Sequence, residues 1–180
     1  MAAPLQVQLD ILRTIKRKID ELDELVLDYA YACKSCRVLM SIPGVGPMTA
    51  ANFVLAVDDA DRFAKSKSVG AYFGLTPRRR QSGEMDYNGR ISKRGDRAVR
   101  HQLYEAANAL LTRVKKPSAL QAWGLRIAKR SGLKKARIAV ARKLAVIMHQ
   151  MLQTGELFCF NPASGERGRL CVKGKSKRVL

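Results

Sequence analysis

The sequence predicts a mainly α-helical protein: a helical domain containing a helix-hairpin-helix and a basic loop or small β-hairpin, preceded by a long coiled-coil helix. Three observations predict it. Apolar residues recur at intervals of three and four over much of the 180 residues. A Pro-Gly-Val-Gly-Pro stretch separates two apolar segments, and a basic, polar stretch contains an Asn-Gly pair. We expect an arm over residues 1–36, a domain over 37–155 and a basic, flexible tail over 156–180.

The arm is predicted by one narrow apolar stripe on an otherwise charged helix of nearly thirty residues. Its stripe residues are Leu5, Leu9, Leu12, Ile15, Ile19, Leu22, Val26 and Tyr29. A stripe this narrow is typical of a coiled-coil seam, so we expect a homo-oligomer through residues 5–29. The alternative is a helix that docks on its own domain.

The net charge points to a polyanionic partner. Lys and Arg number 34 against 15 Asp and Glu, which gives +19 at pH 7. Residues 113–143 carry eleven bases and no acid, whereas residues 1–36 carry five bases and six acids. A chain with this much positive charge favours nucleic acid over a membrane as its partner. We expect a cytoplasmic protein with reduced thiols, because neither a signal peptide nor a membrane-spanning apolar run is evident.

The Pro-Gly-Val-Gly-Pro stretch predicts a helix-hairpin-helix turn followed by a helix over about residues 47–57. Glycines permit a tight turn with exposed N–H groups, and the helix after it adds its positive dipole end. A backbone phosphate could therefore bind at Gly44, Val45 and Gly46. The alternative is a plain turn between two helices. The acidic residues that follow, Asp58, Asp59 and Asp61, have poor spacing for a metal and are better explained as capping acids.

The stretch from Thr76 to Arg100 combines one Ser-Gly pair with eight basic residues. Positive charge of this density stabilises the non-bridging oxygens of a phosphodiester, and Gly83 would let a strand approach closely. The candidate phosphate ligands are Arg78, Arg79, Arg80, Arg90, Lys93, Arg94, Arg97 and Arg100. Ser82 is either one more phosphate contact or a nucleophile activated by the positive field; residue chemistry alone favours the contact.

Three further helices are predicted after Gly95, with breaks near Pro117 and at Ser131-Gly132. The remaining metal candidates are weak. Cys33 and Cys36 form a C-x-x-C without a matching second pair, and His101 and His149 have no partner at ligand spacing. We therefore predict no metal site in this chain.

A series of short motifs resembles the C-terminal transposase domain of the insertion-sequence one-ten (one-one-six, nine-oh-two type) family. The motifs are Ser41-Ile-Pro-Gly-Val-Gly-Pro, Ala71-Tyr-Phe-Gly-Leu-Thr-Pro, Gln81-Ser-Gly, Gly89-Arg-Ile-Ser-Lys-Arg-Gly95 and Ala98-Val-Arg100. Each motif is weak alone, but the ordered set is specific and covers about residues 37–155.

The resemblance implies that Ser82 attacks DNA and forms a phosphoserine link. It also implies that Arg80, Arg90, Lys93, Arg94 and Arg100 hold phosphate, and that a structured RNA guides the reaction. Family members carry an RNase H-like domain whose four acidic residues bind magnesium. This sequence has no match to that half, so we expect no cofactor on this chain alone and Mg only with the acidic domain.

Two other hypotheses remain open at the level of the sequence. The chain could be a non-catalytic helix-hairpin-helix protein that binds nucleic acid, with Ser82 as one contact among many. It could instead be a structural adaptor whose arm dimerises and whose basic body coats RNA.

Overall fold

The computed structural model describes residues 2–82 and 85–160 and confirms the prediction of a mainly α-helical fold. Within that part of the chain, a single two-stranded antiparallel sheet accompanies seven α-helices. The helices are α1 (Ala2–Ala32), α2 (Lys34–Met40), α3 (Pro47–Val57), α4 (Lys67–Tyr72), α5 (Arg97–Thr112), α6 (Ala119–Ser131) and α7 (Leu133–Thr154). A 3₁₀ turn spans Ala60–Arg62, and the strands are β1 (Pro77–Ser82) and β2 (Met85–Ile91).

Helix α7 is the centre of the core. It packs against α2, α4, α5 and α6, and small residues at 136, 141 and 145 are completely buried along it. Small side chains allow helices to approach closely, while larger ones fill the space between them. Leu144 and Met148 of α7 are among the fully buried side chains.

The first helix leaves the body of the protein as an arm. Every residue from Pro4 to Leu25 is exposed, and only the C-terminal turns of α1 pack on the domain, where Ala30 is completely buried. The stripe residues Leu12, Ile15 and Ile19 are 62%, 51% and 51% exposed. The alternative of a helix docked on its own domain therefore fails for residues 4–25. A coiled-coil partner for this stripe stays a prediction.

The predicted helix over residues 47–57 is α3, which begins at Pro47 and ends at Val57. The turn before it packs inward, against α5. A Cβ added to Gly44 would lie 2.8 Å from the carbonyl oxygen of Ala106, and the side chain of Val45 is buried. The glycine is thus explained first by close packing of the turn on α5. Of the three residues predicted to bind phosphate, only Gly46 has open space where a side chain would be.

Two helices begin after a residue whose side chain caps their first turn. Ser118 caps α6 by accepting a hydrogen bond from the backbone N–H of Gln121 at 3.2 Å. Asp96 caps α5 in the same way, through Ala98 N–H at 2.6 Å and Val99 N–H at 3.0 Å. The predicted break at Ser131-Gly132 separates α6 from α7.

The first residues of the predicted flexible tail pack on the body. Phe158 is buried, and its N–H donates to the hydroxyl of Ser41 at 2.9 Å. Phe160 accepts a backbone hydrogen bond from Ala119 and lies under the ammonium group of Lys116. Residues 156–160 therefore belong to the domain, because aromatic side chains anchor them. The rest of the predicted tail lies outside the described residues.

His149 is a core residue. It is fully buried, with Nε2 2.8 Å from the carbonyl oxygen of Ala60 and Nδ1 3.0 Å from the hydroxyl of Ser66. A carbonyl can only accept, so Nε2 carries a proton, and the Ser66 hydroxyl is the partner of Nδ1. Both ring nitrogens are satisfied by hydrogen bonds that join α7 to the segment before α4.

The acidic cluster also has a local explanation. The Asp59 carboxylate accepts from the N–H of Asp61 at 2.8 Å and caps the 3₁₀ turn. No group of three His, Cys, Asp or Glu residues that could hold a metal ion occurs among the described residues.

Candidate nucleic-acid interface

The basic stretch forms a β-hairpin that projects between α4 and α5. Strand β1 runs from Pro77 to Ser82 and pairs antiparallel with β2, Met85–Ile91. Ser82 is the last residue of β1, where its backbone pairs with Met85. The candidate nucleophile therefore lies at the distal end of the hairpin, next to the two-residue connection. Gly83 lies in that connection, outside the described residues.

The Asn-Gly pair is not the hairpin turn. Asn88 pairs with Arg79 and Ile91 pairs with Pro77, so β2 carries one more residue than β1 between these two pairs. Gly89 is in this irregular stretch, which has the pattern of a β-bulge. The Asn-Gly pair thus lies inside β2, near the base of the hairpin.

Two glycines, Gly74 and Gly95, allow close backbone contact at the base of the hairpin. Each lies against the backbone of residues next to the other. A Cβ on Gly74 would clash with the backbone of Arg94, and one on Gly95 would clash with the carbonyl oxygen of Tyr72. Both residues have positive φ, +67° and +80°, which glycine adopts without strain. The segment before β1 and the segment after β2 therefore meet at a distance that no side chain allows.

Backbone hydrogen bonds close the same junction. Lys93 N–H donates to the carbonyl of Gly74 at 3.1 Å, and Ser92 N–H donates to that of Thr76 at 2.8 Å. Lys93 adopts φ +57°, an uncommon conformation for a lysine. These bonds fix the direction in which the hairpin leaves the domain.

Arg100 binds this junction from the first turns of α5. Its Nη1 lies 3.2 Å from the carbonyl oxygens of Phe73 and Arg94, and 3.3–3.4 Å from those of Asp96 and Gly95. One amino group is thus surrounded by carbonyl acceptors. The geometry gives Nη1 of Arg100 a structural role at the hairpin base. Phosphate binding by this arginine stays a prediction.

The other predicted phosphate ligands form an exposed basic surface around the hairpin. Arg78 donates through Nη2 to the carbonyl of Ser92 at 3.1 Å, so its guanidinium is bound to the residue that follows β2. The remaining exposed bases are Arg79, Arg90, Lys93, Arg94 and Arg97. The side chain of Arg80, like that of Ser82, lies outside the described part of the structure. The described part of this surface lies around the base of the hairpin, and Ser82 ends β1 at the distal end.

A pocket lies behind the hairpin, between its base, α5 and α7. It has a volume of about 240 Å³ and includes Lys93, Arg97 and Arg100 in its lining. Of the other lining residues, His101 was named among the weak metal candidates, whereas Leu75, Ile91, Tyr104 and Ile138 were not candidates from sequence. The spacing of His101 and Tyr104 after Arg97 could have placed them on one helix face, but nothing in the sequence brings Ile138 to that face.

The C-x-x-C motif lies where α1 meets α2. Burial raises the pKa of Cys33, but hydrogen bonds from the backbone N–H and thiol of Cys36 outweigh it, and the net pKa is lowered. Cys36 is completely buried, which raises its pKa to about 12, with the hydrogen bond to Cys33 adding to the shift. The two thiols thus differ in their chemistry.

Comparison with known proteins agrees with the motif series. Residues 36–123 match the model of the Transposase IS116/IS110/IS902 family. Those residues belong to this transposase family. The matched segment runs from α2 into α6 and contains the inward-packed turn, the hairpin and the Arg100 junction.

Relatives extend the similarity over most of the chain. It is 35% identical over 144 residues to the transposase for insertion sequence element IS1111A of Coxiella burnetii, covering 76% of this chain and 40% of the relative. A putative transposase of Sinorhizobium fredii, y4pF/y4sB, is 29% identical over 81% of this chain and 38% of its own length. The pilin gene-inverting protein of Moraxella bovis is 28% identical over 67% of this chain and 38% of its own length. The chain thus spans about two fifths of the length of these relatives.

No described helix is long and apolar enough to cross a membrane.

Proposed function

We propose that this chain is the serine-bearing part of a DNA transposase, that it binds DNA and a structured guide RNA, and that Ser82 is its nucleophile. The position of Ser82 carries the proposal. It ends β1 of a hairpin with a basic surface, inside the segment that matches the transposase family. A serine at the end of a projecting hairpin can reach a phosphate of the DNA backbone. Basic side chains of both β-strands can approach the same phosphate.

The step is a transfer of a phosphoryl group from DNA to the serine. The Ser82 hydroxyl loses its proton as its oxygen bonds to phosphorus, and the bond from phosphorus to the departing strand's oxygen breaks. That oxygen takes up a proton. Positive charges around the hairpin stabilise the non-bridging oxygens, which gain negative charge in the transition state.

The RNase H-like acidic half would supply the rest of the centre. We propose that Mg binds there, and that the arm brings copies of the chain together through residues 5–29.

The test is covalent capture of DNA. The chain is incubated with Mg and a nicked suicide duplex, with and without a supplied acidic half, and resolved on a denaturing gel. We expect a protein–DNA band that needs the acidic half and disappears in Ser82→Ala. Ser92→Ala is the matched control, because Ser92 lies at the other end of the same hairpin.

Two outcomes would reject the nucleophile. One is a band that persists in Ser82→Ala. The other is the absence of any band while both proteins bind the duplex equally well, which would make the chain a non-catalytic nucleic-acid-binding module.

A further inference from the structure

We propose that the pocket between the hairpin base, α5 and α7 receives one unstacked base of a bound DNA strand. This inference rests on the proposed function for the identity of the strand, but its chemistry stands on the pocket itself. The pocket volume of about 240 Å³ is below the range of roughly 300–1,000 Å³ typical of small-molecule sites. It therefore suits a single planar base better than a larger ligand.

Part of the pocket lining is cationic. Lys93 at the end of the hairpin and Arg97 in the first turn of α5 both line it and are exposed. The carboxylate of the neighbouring Asp96 already caps α5. A phosphate at this rim would meet two positive charges that attract it.

Apolar and aromatic side chains form another part of the lining. Leu75 is buried, and Ile91 of β2 and Ile138 of α7 add aliphatic surface. Tyr104 follows Arg97 by seven residues, so both lie on one face of α5. A cationic rim beside an apolar, aromatic wall matches the two ends of a nucleotide, the phosphate and the base.

Tyr104 is held in place by α7. The guanidinium of Arg137 lies 5.8 Å from the ring centroid, and its Nη1 donates to the tyrosine hydroxyl at 3.3 Å. A restrained ring loses little side-chain entropy on binding. Stacking on such a platform accepts any base, because every base has a π-face.

The pocket lies at the base of the hairpin, and its ligand would therefore be part of a DNA strand that follows the hairpin. Its lining includes Ile91 and Lys93, at the base of the hairpin whose distal end holds Ser82. A strand lying along the hairpin could place one base in the pocket while another of its phosphates faces the serine. An unpaired base would then be shielded from water during strand exchange.

The experiment compares strands that differ only in one base. Fluorescence anisotropy measures the affinity of Ser82→Ala protein, which binds without reacting, for single-stranded DNA with thymine or an abasic residue at one central position. We expect the thymine strand to bind about fivefold more tightly or better. Ile138→Trp, which fills the pocket without changing the charge, should abolish that difference.

Three variants refine the comparison. Tyr104→Ala should lose the preference, whereas Tyr104→Phe, which keeps the ring, should retain it. Lys129→Ala removes a positive charge on α6, outside the pocket. It should weaken the binding of both DNA strands equally. Circular dichroism establishes that each variant is folded.

A photocrosslink locates the base independently. DNA with 5-iododeoxyuridine at the same position should crosslink to the peptide that contains His101 and Tyr104. Equal affinity for the two strands, or crosslinks only elsewhere, would overturn the pocket. A preference seen only with the matching RNA strands would overturn its assignment to DNA. Because Ser82→Ala is used throughout, failure of the serine chemistry would leave these results unchanged.

Discussion

At the scale of single residues, Arg100 shows how a basic side chain in a basic stretch can serve the fold. Its Nη1 is within 3.4 Å of four carbonyl oxygens that belong to both ends of the hairpin junction. Hydrogen bonds from a charged donor are stronger than those between neutral groups. The residue therefore links the start of α5 to the end of α4.

We predict that Arg100→Ala lowers the free energy of unfolding by about 2 kcal/mol, because carbonyl groups lose a charged donor. Arg97→Ala, on the same helix but exposed, should change it by less than about 0.5 kcal/mol. Urea unfolding followed by circular dichroism measures both. Equal effects of the two substitutions would contradict the structural role of Arg100.

The paired cysteines allow a prediction of reactivity. The thiolate is the nucleophile, so a lowered pKa at Cys33 and a pKa of about 12 at Cys36 favour reaction at Cys33. We expect iodoacetamide to label Cys33 first near neutral pH and Cys36 only after unfolding, as measured by peptide mass spectrometry. The same labelling in urea is the control, and there the two rates should converge. Equal rates in the folded protein would contradict the prediction.

At the scale of elements, the arm is the clearest case of a surface without a packing partner among the residues that the structure describes. Its charged side chains stabilise the helix locally, for example through Lys18 and Glu21 at 2.7 Å. Its apolar stripe remains in solvent, with Leu5 61% and Leu22 61% exposed. Burying such a stripe against a second copy would remove apolar surface from water.

We predict that Ile15→Asp with Ile19→Asp abolishes self-association and leaves the domain folded, because neither side chain packs on the domain. Sedimentation equilibrium gives the oligomeric state, and circular dichroism reports the fold. Lys16→Ala, which lies between them but off the stripe, is the matched control and should associate like the unmodified chain. A monomeric unmodified chain at all concentrations would refute the coiled coil.

The elements also show what the sequence can predict. Periodicity and capping residues located α3 and the start of α6, because these signals act within a few neighbouring residues. The Asn88-Gly89 pair is a turn signal in the sequence but lies within β2, since the register of a hairpin depends on pairing with the other strand. Gly44 was interpreted as a phosphate contact, yet its packing against α5 involves a helix more than fifty residues later.

The candidate site shows the same difference between local signals and tertiary packing. Its basic residues and Ser82 could be selected from one continuous stretch of sequence. The role of Arg100 could not, because its carbonyl partners come from segments on both sides of the hairpin. Tyr104 and Ile138 were missed for the same reason: the pocket exists only after α5 and α7 pack together.

At the scale of the whole molecule, the arm is nearly neutral and the rest of the chain is strongly basic. Among the described side chains, the ion pairs join arm residues to each other, whereas residues 113–143 carry eleven bases and no acid. Exposed bases cluster where α6 ends and α7 begins, at Lys129, Arg130, Lys134 and Lys135. This second basic surface is formed by segments other than the hairpin.

We predict that DNA affinity falls steeply with salt, because each neutralised phosphate releases a counterion. Six to ten phosphate contacts would reduce the binding constant by roughly 10³–10⁵ between 50 and 200 mM salt.

If the basic surface at the α6–α7 junction binds the DNA backbone, replacing Lys134 and Lys135 with alanine should reduce the slope of log K against log salt by about 2. Fluorescence anisotropy over a salt series measures the slope. Lys16→Ala, on the nearly neutral arm, should leave it unchanged. An unchanged slope in the double variant would confine phosphate binding to the hairpin and its neighbours, whereas a reduced slope with equal losses on unrelated DNA sequences would establish a second, sequence-independent contact to the backbone.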